Sequence, residues 1–277
     1  MRTTIPAKVY GYLAAGSIVA AALAVTAAGA TRAPNLPDWS GVWVISQNGP
    51  MDPATFDRSG PPYQEGGARE HPPYNPEWEA KYVANVAKTV LDAFPDPINT
   101  CGTPSGFPRL MNIPAPYAYE FVVRPEQTWV LTENGPNIAR IYTDGRDHPA
   151  QADSWPTYSG DSVGHWEGDV LVFHTKNLRG DTIYDRTGAV HSDQMEVSTR
   201  MRKLQSGMIE VKMVIEDPVA FTKPWLITKT FKKLQGVQRL YDYACSENDR
   251  NPVVDGRNSI ILQSSGQSSL VQMQTGH

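Results

Sequence analysis

Histidine and aspartate residues lie close together in the sequence around a tight turn near the middle of the chain. The run from Asp161 to His174 has the pattern of a β-hairpin, and a two-residue turn at Glu167-Gly168 would place Asp161 opposite His174. His165 falls on the same face, because successive side chains of a strand point to opposite faces. A carboxylate that orients an imidazole can act as a general base. The alternative is a polar cross-strand pair that contributes about 1 kcal/mol or less.

The two faces of this hairpin differ in polarity. The face with the ionisable residues also carries Val163, Val170 and Val172. The other face carries the larger apolar residues Trp166, Leu171 and Phe173. The face with the ionisable residues is therefore a candidate pocket wall. This division depends on the register, since a slip by one residue exchanges the two faces.

A second set of candidate residues follows a predicted strand that ends near Tyr142. Asp144-Gly145 is a turn signal, so Arg146 and His148 lie on a loop, where binding residues concentrate. At a barrel mouth, Tyr142 and His148 would move protons and Arg146 would hold an anionic group. The alternative is a local turn in which Asp144 and Arg146 pair with each other.

These patterns give two sets of predicted site residues. The predicted catalytic residues are Tyr142, His148, Asp161, His165 and His174. The predicted substrate contacts are Asp144, Arg146, Tyr158, Trp166 and Trp225.

Other catalytic patterns are weak in this sequence. His191-Ser192-Asp193 contains the residue types of a serine triad, but adjacent residues in an extended segment point in different directions. There is no Gly-x-Ser-x-Gly motif, no His-x-His or His-Glu-x-x-His spacing and no nucleotide-binding fingerprint. We therefore expect neither a cofactor nor a metal, although strands can bring distant ligands together.

The amino terminus has the features of a secretory signal peptide at residues 1–30. Arg2 and Lys8 precede an apolar run that ends in Ala28-Gly29-Ala30. The alternative is an uncleaved membrane anchor, for which a run of Ala and Gly inserts weakly. Removal of this segment changes the net charge from −4 to −6, which argues against nucleic acid or an anionic membrane as partner. The predicted location is the periplasm or the exterior.

Cys101 and Cys245 are the two cysteines of the chain. In an oxidising compartment such a pair indicates a disulfide bond, and the alternative is two separate buried thiols.

Alternation of apolar and polar residues predicts an all-β fold for residues 31–277, which we treat as a single domain. About ten strands with short turns, the last at Val237–Tyr243, favour an antiparallel barrel, because closure removes unpaired edges. A sandwich is the alternative. The Pro- and Gly-rich insertion at 48–116 contains a helix predicted at 76–93, with Asn75 as its N-cap. A polar tail covers 249–277 and is expected to fray after Leu262.

Five longer motifs carry a resemblance to a known family. They are Trp-Ser-Gly-x-Trp at 39–43, Tyr-Thr-Asp-Gly-Arg-x-His-Pro at 142–149, Ser-x-Gly-x-Trp-Glu-Gly-Asp-x-Leu-Val at 162–172, Asp-Pro-x-x-Phe-Thr-Lys-Pro-Trp at 217–225 and Tyr-x-Cys-x-Glu-Asn at 243–248. In these motifs the chain resembles a family of exported, mostly uncharacterised bacterial proteins. The resemblance implies a lipocalin-like barrel, a fold that binds small apolar molecules. His165 departs from the family pattern, in which an arginine precedes the tryptophan.

Two functions remain open from the sequence. The first is the binding and conversion of a small aromatic or terpenoid-like molecule by acid–base chemistry, as in a lyase or isomerase that uses no cofactor. The second is a non-catalytic carrier or envelope interaction protein. A carrier needs an apolar cavity with few polar groups, and an enzyme needs ionisable groups that converge in space.

Overall fold

The computed structural model describes residues 36–57, 69–90, 106–134, 137–150, 153–180, 182–185 and 188–241, with the backbone alone at 88–90 and in short strands between 253 and 271. The predicted signal peptide, Cys101 and Cys245 lie outside the described residues. The prediction of a disulfide bond therefore stays a prediction.

Nine strands form a closed barrel, and one helix precedes most of them in the chain. The strands are β1 Val42–Ile45, β2 Tyr119–Val123, β3 Gln127–Thr132, β4 Asn137–Tyr142, β5 Asp161–Glu167, β6 Val170–Lys176, β7 Glu196–Lys203, β8 Ile209–Glu216 and β9 Trp225–Lys233. The helix is α1, Pro76–Val90. The mostly β architecture predicted from the sequence is therefore confirmed.

The barrel is mixed rather than fully antiparallel. Neighbouring strands run antiparallel everywhere except between β4 and β5, which are parallel. Strand direction can alternate around a closed ring only if the number of strands is even, so nine strands require one parallel junction. A parallel pair needs a long connection. Residues 143–160 supply it, and we call them the crossover segment.

The count of about ten strands is close to the nine observed, but the strand predicted at Val237–Tyr243 is wrong in its described part. Residues 237–241 have no strand structure, and the barrel closes when β9 pairs with β1. That pairing occupies the free edge of β9 that a following strand would need. The tail also differs from the expected fraying: β10 (Val253–Val254) pairs with β11 (Arg257–Asn258), and β12 (Ile260–Ser264) pairs with β13 (Gln267–Val271).

Helix α1 begins where the sequence predicts. The Asn75 side chain accepts a hydrogen bond from the Trp78 backbone N–H at 3.1 Å, which satisfies one of the free donors of the first turn. Tyr82 and Val86 are buried and follow Trp78 at helical spacing. The helix therefore packs one face on the domain, and its predicted residues 91–93 lie outside the described part.

The barrel interior is filled by side chains. Alternate residues of every strand point inward, and the largest of them pack into one core that includes Trp43, Tyr119, Phe121, Phe173 and Phe231. Ring centroids lie 4.9 Å apart for Tyr119 and Phe231 and 5.6 Å apart for Phe121 and Phe231. Barrels of about this size are either filled by side chains or hold one small ligand. Large side chains of this core pack where such a ligand would lie.

Gly164 faces this core from β5, and we expect alanine there to destabilise the barrel. A Cβ atom at this position would overlap the Val172 carbonyl oxygen and lie 2.6 Å from Phe173 Cβ. Gly164→Ala should lower the free energy of unfolding by about 3 kcal/mol, because backbone atoms must move. Urea denaturation measures the change.

Gly207→Ala is the matched control, since Gly207 has φ 82° and no atom within 4 Å of a Cβ. Its loss should be about 1 kcal/mol, from backbone strain alone. An equal loss in the two variants would contradict the packing argument.

Candidate functional site

The β5–β6 hairpin turns one residue later than predicted. Gly168 and Asp169 form its loop, and Gly168 has φ 64°, the kind of conformation that type II′ turns require of their first loop residue. Val163, rather than Asp161, is therefore opposite His174, and Asp161 is opposite Lys176. The predicted direct pair is wrong. The register differs by two residues, which is an even number, so the predicted division of the faces is nevertheless correct.

The ionisable face of the hairpin lies on the outside of the barrel. Leu171, Phe173 and Thr175 point into the core, and His174 points outward between them. His148, on the crossover segment, reaches this outer wall. It can do so because β4 and β5 are parallel. The crossover segment must therefore run back along the wall from the end of β4 to the start of β5.

Four side chains form a continuous hydrogen-bonded row on this wall, which we call the relay. Asp161 Oδ1 lies 2.5 Å from His148 Nδ1. His148 Nε2 lies 3.1 Å from His174 Nδ1, and His174 Nε2 lies 3.1 Å from Glu196 Oε2. Their order is carboxylate, imidazole, imidazole, carboxylate.

The two ends of the relay differ in exposure. The side chain of His148 is 13% exposed and that of Asp161 is 26% exposed, whereas those of His174 and Glu196 are 36% and 50% exposed. A small molecule can therefore approach the relay at His174 and Glu196. The inner pair is sheltered from solvent, and Asp161 holds the His148 ring in place.

The hydrogen bonds of the relay fix how many protons it holds. Ionised Asp161 and Glu196 can only accept, so His148 Nδ1 and His174 Nε2 each carry a proton. The contact between His148 Nε2 and His174 Nδ1 needs a third proton. With both carboxylates ionised, all three contacts are hydrogen bonds only when the two rings together carry three protons, one more than two neutral imidazoles carry. In that state the relay can give up one proton at its exposed end.

An aromatic group flanks the relay on the neighbouring strand. Tyr142 pairs with Val163 across the parallel junction, and Val163 pairs with His174, so the three lie in one row across the outer wall. The guanidinium of Arg146 lies 4.0 Å from the Tyr142 ring centroid. It also holds the Asp144 carboxylate at 2.6 Å, and these hydrogen bonds lower the pKa of Asp144. The local pairing of Asp144 with Arg146, the alternative weighed above, is therefore present.

Four of the predicted residues lie apart from the relay. His165 is 65% exposed and contacts Glu167, whose pKa is lowered by Arg200 and by His165 itself. Trp225 is buried in the core. The remaining two are Trp166, whose ring lies 5.5 Å from that of Trp39, and Tyr158, whose ring lies 4.8 Å from the Arg179 guanidinium.

Sequence reasoning missed Glu196. This residue begins β7 on its outward face, and pairing of β6 with β7 brings it to His174. The alternation from 195 to 202 already indicated that Glu196 lies on the polar face. What the sequence lacks is the register of β6 against β7, because the long connection between them does not fix it.

The adjacent His191 and Ser192 do not form a triad. Ser192 Oγ donates to Asp217 Oδ1 at 2.7 Å, and His191 Nδ1 lies 2.9 Å from the Ser192 carbonyl oxygen. In the described ranges no group of three or more His, Cys, Asp and Glu side chains is placed to hold a metal ion.

A second ionisable group is buried between the inner barrel wall and residues 50–52. Glu70 accepts hydrogen bonds from the backbone N–H groups of Met51 and Asp52, and Lys229 Nζ donates to the Pro50 carbonyl oxygen at 2.6 Å. Glu70 is 2% exposed and Lys229 is 4% exposed. Burial raises the pKa of Glu70 to about 8 and lowers that of Lys229 to about 8. These groups attach a loop to the barrel and are closed to solvent.

The chain matches no protein-family model, and the search of curated proteins found no similar sequence. The family resemblance therefore stays a prediction. No helix in the described part of the chain is long and apolar enough to cross a membrane.

The proton count of the relay can be measured directly. In protein labelled with ¹⁵N-histidine, the intact relay predicts three protonated nitrogens among the four of His148 and His174. Nitrogen NMR gives the count, and His148→Gln and His174→Gln assign the signals. Two or four protonated nitrogens would contradict the hydrogen-bond pattern.

The buried Glu70 predicts a particular pH dependence of stability. Its folded pKa of about 8 exceeds the ordinary value of 4.5, so the folded state binds the proton more tightly than the unfolded state. The stability that this group contributes is complete below pH 4.5 and is lost as the pH rises to about 8. The free energy of unfolding of the wild type minus that of Glu70→Gln should therefore fall over this range.

Urea denaturation at several pH values between these limits measures that difference. Glu77→Gln is the control, because the Glu77 side chain is 74% exposed and its removal should leave a difference from wild type that does not change over this range. A difference between wild type and Glu70→Gln that does not change with pH would show that Glu70 ionises as easily in the folded chain as in the unfolded one.

Proposed function

We propose that this protein catalyses proton transfer on a small aromatic or terpenoid-like molecule at the outer wall of the barrel, as a lyase or isomerase that uses its own side chains. The observation that carries the proposal is the unbroken row from Asp161 through His148 and His174 to Glu196. Positioned imidazoles are the commonest groups for proton transfer near neutral pH.

His174 Nε2 is the atom that would exchange a proton with the substrate. Its proton is directed at Glu196, whose side chain is half exposed. A substrate oxygen that displaces the Glu196 carboxylate receives this proton, and His174 then acts as a general acid. The proton leaves from Nε2, and the bond between His174 Nδ1 and His148 Nε2 stays in place.

After that transfer the relay holds two protons and becomes a base. The Nε2 lone pair of His174 can remove a proton from a carbon atom of the bound molecule. Asp161 stabilises the charge that returns to the rings, because its carboxylate accepts a hydrogen bond from His148 Nδ1–H. If the proton goes back to another atom of the same molecule, the reaction is an isomerisation; if a bond to a leaving group breaks, it is an elimination.

The substrate would lie on the row that contains Tyr142, Val163 and His174. Val163 supplies an apolar floor, and the Tyr142 ring offers an aromatic contact. The filled interior supports this location, because a carrier of the lipocalin type would hold its ligand inside the barrel. Within the proposal, the barrel belongs to the lipocalin-like class that the family motifs imply.

The proposal also includes the cellular setting expected from the sequence. The protein is exported to the periplasm or beyond after cleavage of residues 1–30, and Cys101 and Cys245 form a disulfide bond there. The apolar run and its small residues support export, and the even number of cysteines supports the bond.

A general-base probe tests the function without knowledge of the natural substrate. In 5-nitrobenzisoxazole a base removes the C3 proton, the N–O bond breaks and a coloured cyanonitrophenolate forms. Once the relay has released its third proton to solvent, the His174 Nε2 lone pair is free, and we expect the protein to accelerate this ring opening beyond free imidazole at equal concentration and pH. His174→Gln should lower the rate by about a hundredfold, the usual contribution of a positioned base.

His71→Gln is the matched control, because His71 is exposed and its nearest carboxylate is that of Asp57 at 3.9 Å. It should keep the wild-type rate. The thermal midpoint should change little in either variant, since half-exposed pairs contribute about 1 kcal/mol or less. A wild-type rate no greater than that of imidazole, or an equal rate in His174→Gln, would overturn the proposal.

A further inference from the structure

Lys176 is a cation next to the relay. It follows His174 by two residues on β6 and therefore lies on the same outer face, about 7 Å further along the strand. Its side chain is half-buried, and no hydrogen bond or ion pair joins its ammonium group to another described residue. An ammonium group that no described carboxylate engages is available to an anion.

Two carboxylates neighbour Lys176 across the sheet, and both are engaged by the relay. Asp161 is directly opposite Lys176 in the β5–β6 pair, and Glu196 precedes Val197, the β7 partner of Thr175. The Asp161 carboxylate turns to His148 Nδ1, at 2.5 Å, and that of Glu196 to His174 Nε2, at 3.1 Å. The relay therefore takes both carboxylates, and no other described carboxylate pairs with the ammonium group.

Two other cations of this wall have carboxylate partners. Arg146 is bound by Asp144 at 2.6 Å, and Arg200 by Glu167 at 2.7 Å. The prediction that Arg146 holds an anionic group is therefore less well supported than the same role for Lys176.

The crossover segment passes close to Lys176. The Thr157 N–H donates to the Asn177 carbonyl oxygen, and the Arg179 N–H donates to the Thr157 carbonyl oxygen, each at 3.0 Å. His148 attaches the same segment to the wall at His174. Lys176 thus lies on β6 between the two points at which the crossover segment meets the barrel, beside the exposed end of the relay.

We propose that Lys176 binds a carboxylate of the substrate, so that the molecule converted at His174 is an aromatic acid rather than a neutral compound. This inference rests on the proposed function. The ammonium group would also stabilise negative charge that develops when His174 Nε2 removes a proton from a carbon near that carboxylate. Lys176 is therefore a specificity-determining residue.

Benzoate, phenylacetate and cinnamate, each compared with its amide, test the carboxylate requirement. Binding is followed by the imidazole ¹⁵N and ¹H signals of His174 in the full chain, so no turnover is needed. We expect at least one acid to bind about tenfold or more tightly than its amide, the ratio that one charge-assisted hydrogen bond gives. Lys176→Gln should lose this preference, and Lys176→Arg should keep it.

Lys223→Gln removes the same charge from an exposed loop and should behave as wild type. Equal binding of acids and amides, absence of binding by all three acids, or an unchanged preference in Lys176→Gln would overturn the inference. These outcomes are separate from the ring-opening assay: failure of that assay removes the proposed function, whereas its success without acid preference removes only the role of Lys176.

Discussion

An odd number of strands in a closed barrel is the constraint on which the rest of this structure depends. Strand directions cannot alternate around a ring of nine, so one junction must be parallel, and here it is the junction between β4 and β5. A parallel junction cannot be joined by a tight turn. The crossover segment that results carries His148 over the outer wall, and without it His174 and Asp161 would share a face without touching.

The packing of the barrel decides on which side chemistry can occur. Large side chains such as Phe121 and Phe231 fill the interior, so polar groups that need access to solvent lie outside. The inward Lys229 shows the consequence for an ionisable group inside: its pKa falls because burial disfavours the charged form. It binds the carbonyl oxygen of Pro50, and its role is to hold a loop. The relay, in contrast, has one sheltered end and one open end.

Much of the fold could be predicted, because alternation and turn signals are local properties. The capping of α1 by Asn75 depends on neighbouring residues, and it is correct. The hairpin register was wrong by two residues, since Glu167-Gly168 and Gly168-Asp169 are both plausible turns and only the positive φ of Gly168 selects between them. The predicted division of the faces is correct despite this error, because a shift of two residues leaves each side chain on the same face of the hairpin. The strand predicted at Val237–Tyr243 is absent at 237–241 because β1 already pairs with the edge of β9. Barrel closure is a property of the whole sheet, which local patterns do not contain.

The sequence by itself determined which residues of the 161–174 hairpin share a face, because side-chain alternation along a strand has a period of two. It also placed His148 on a loop, through the turn at Asp144-Gly145. Only the tertiary structure decided that this face points outward, that His148 joins Asp161 to His174, and that Glu196 completes the row. These contacts join residues 13 to 26 positions apart across four segments, and the pairing of strands, which no local pattern encodes, sets their distances.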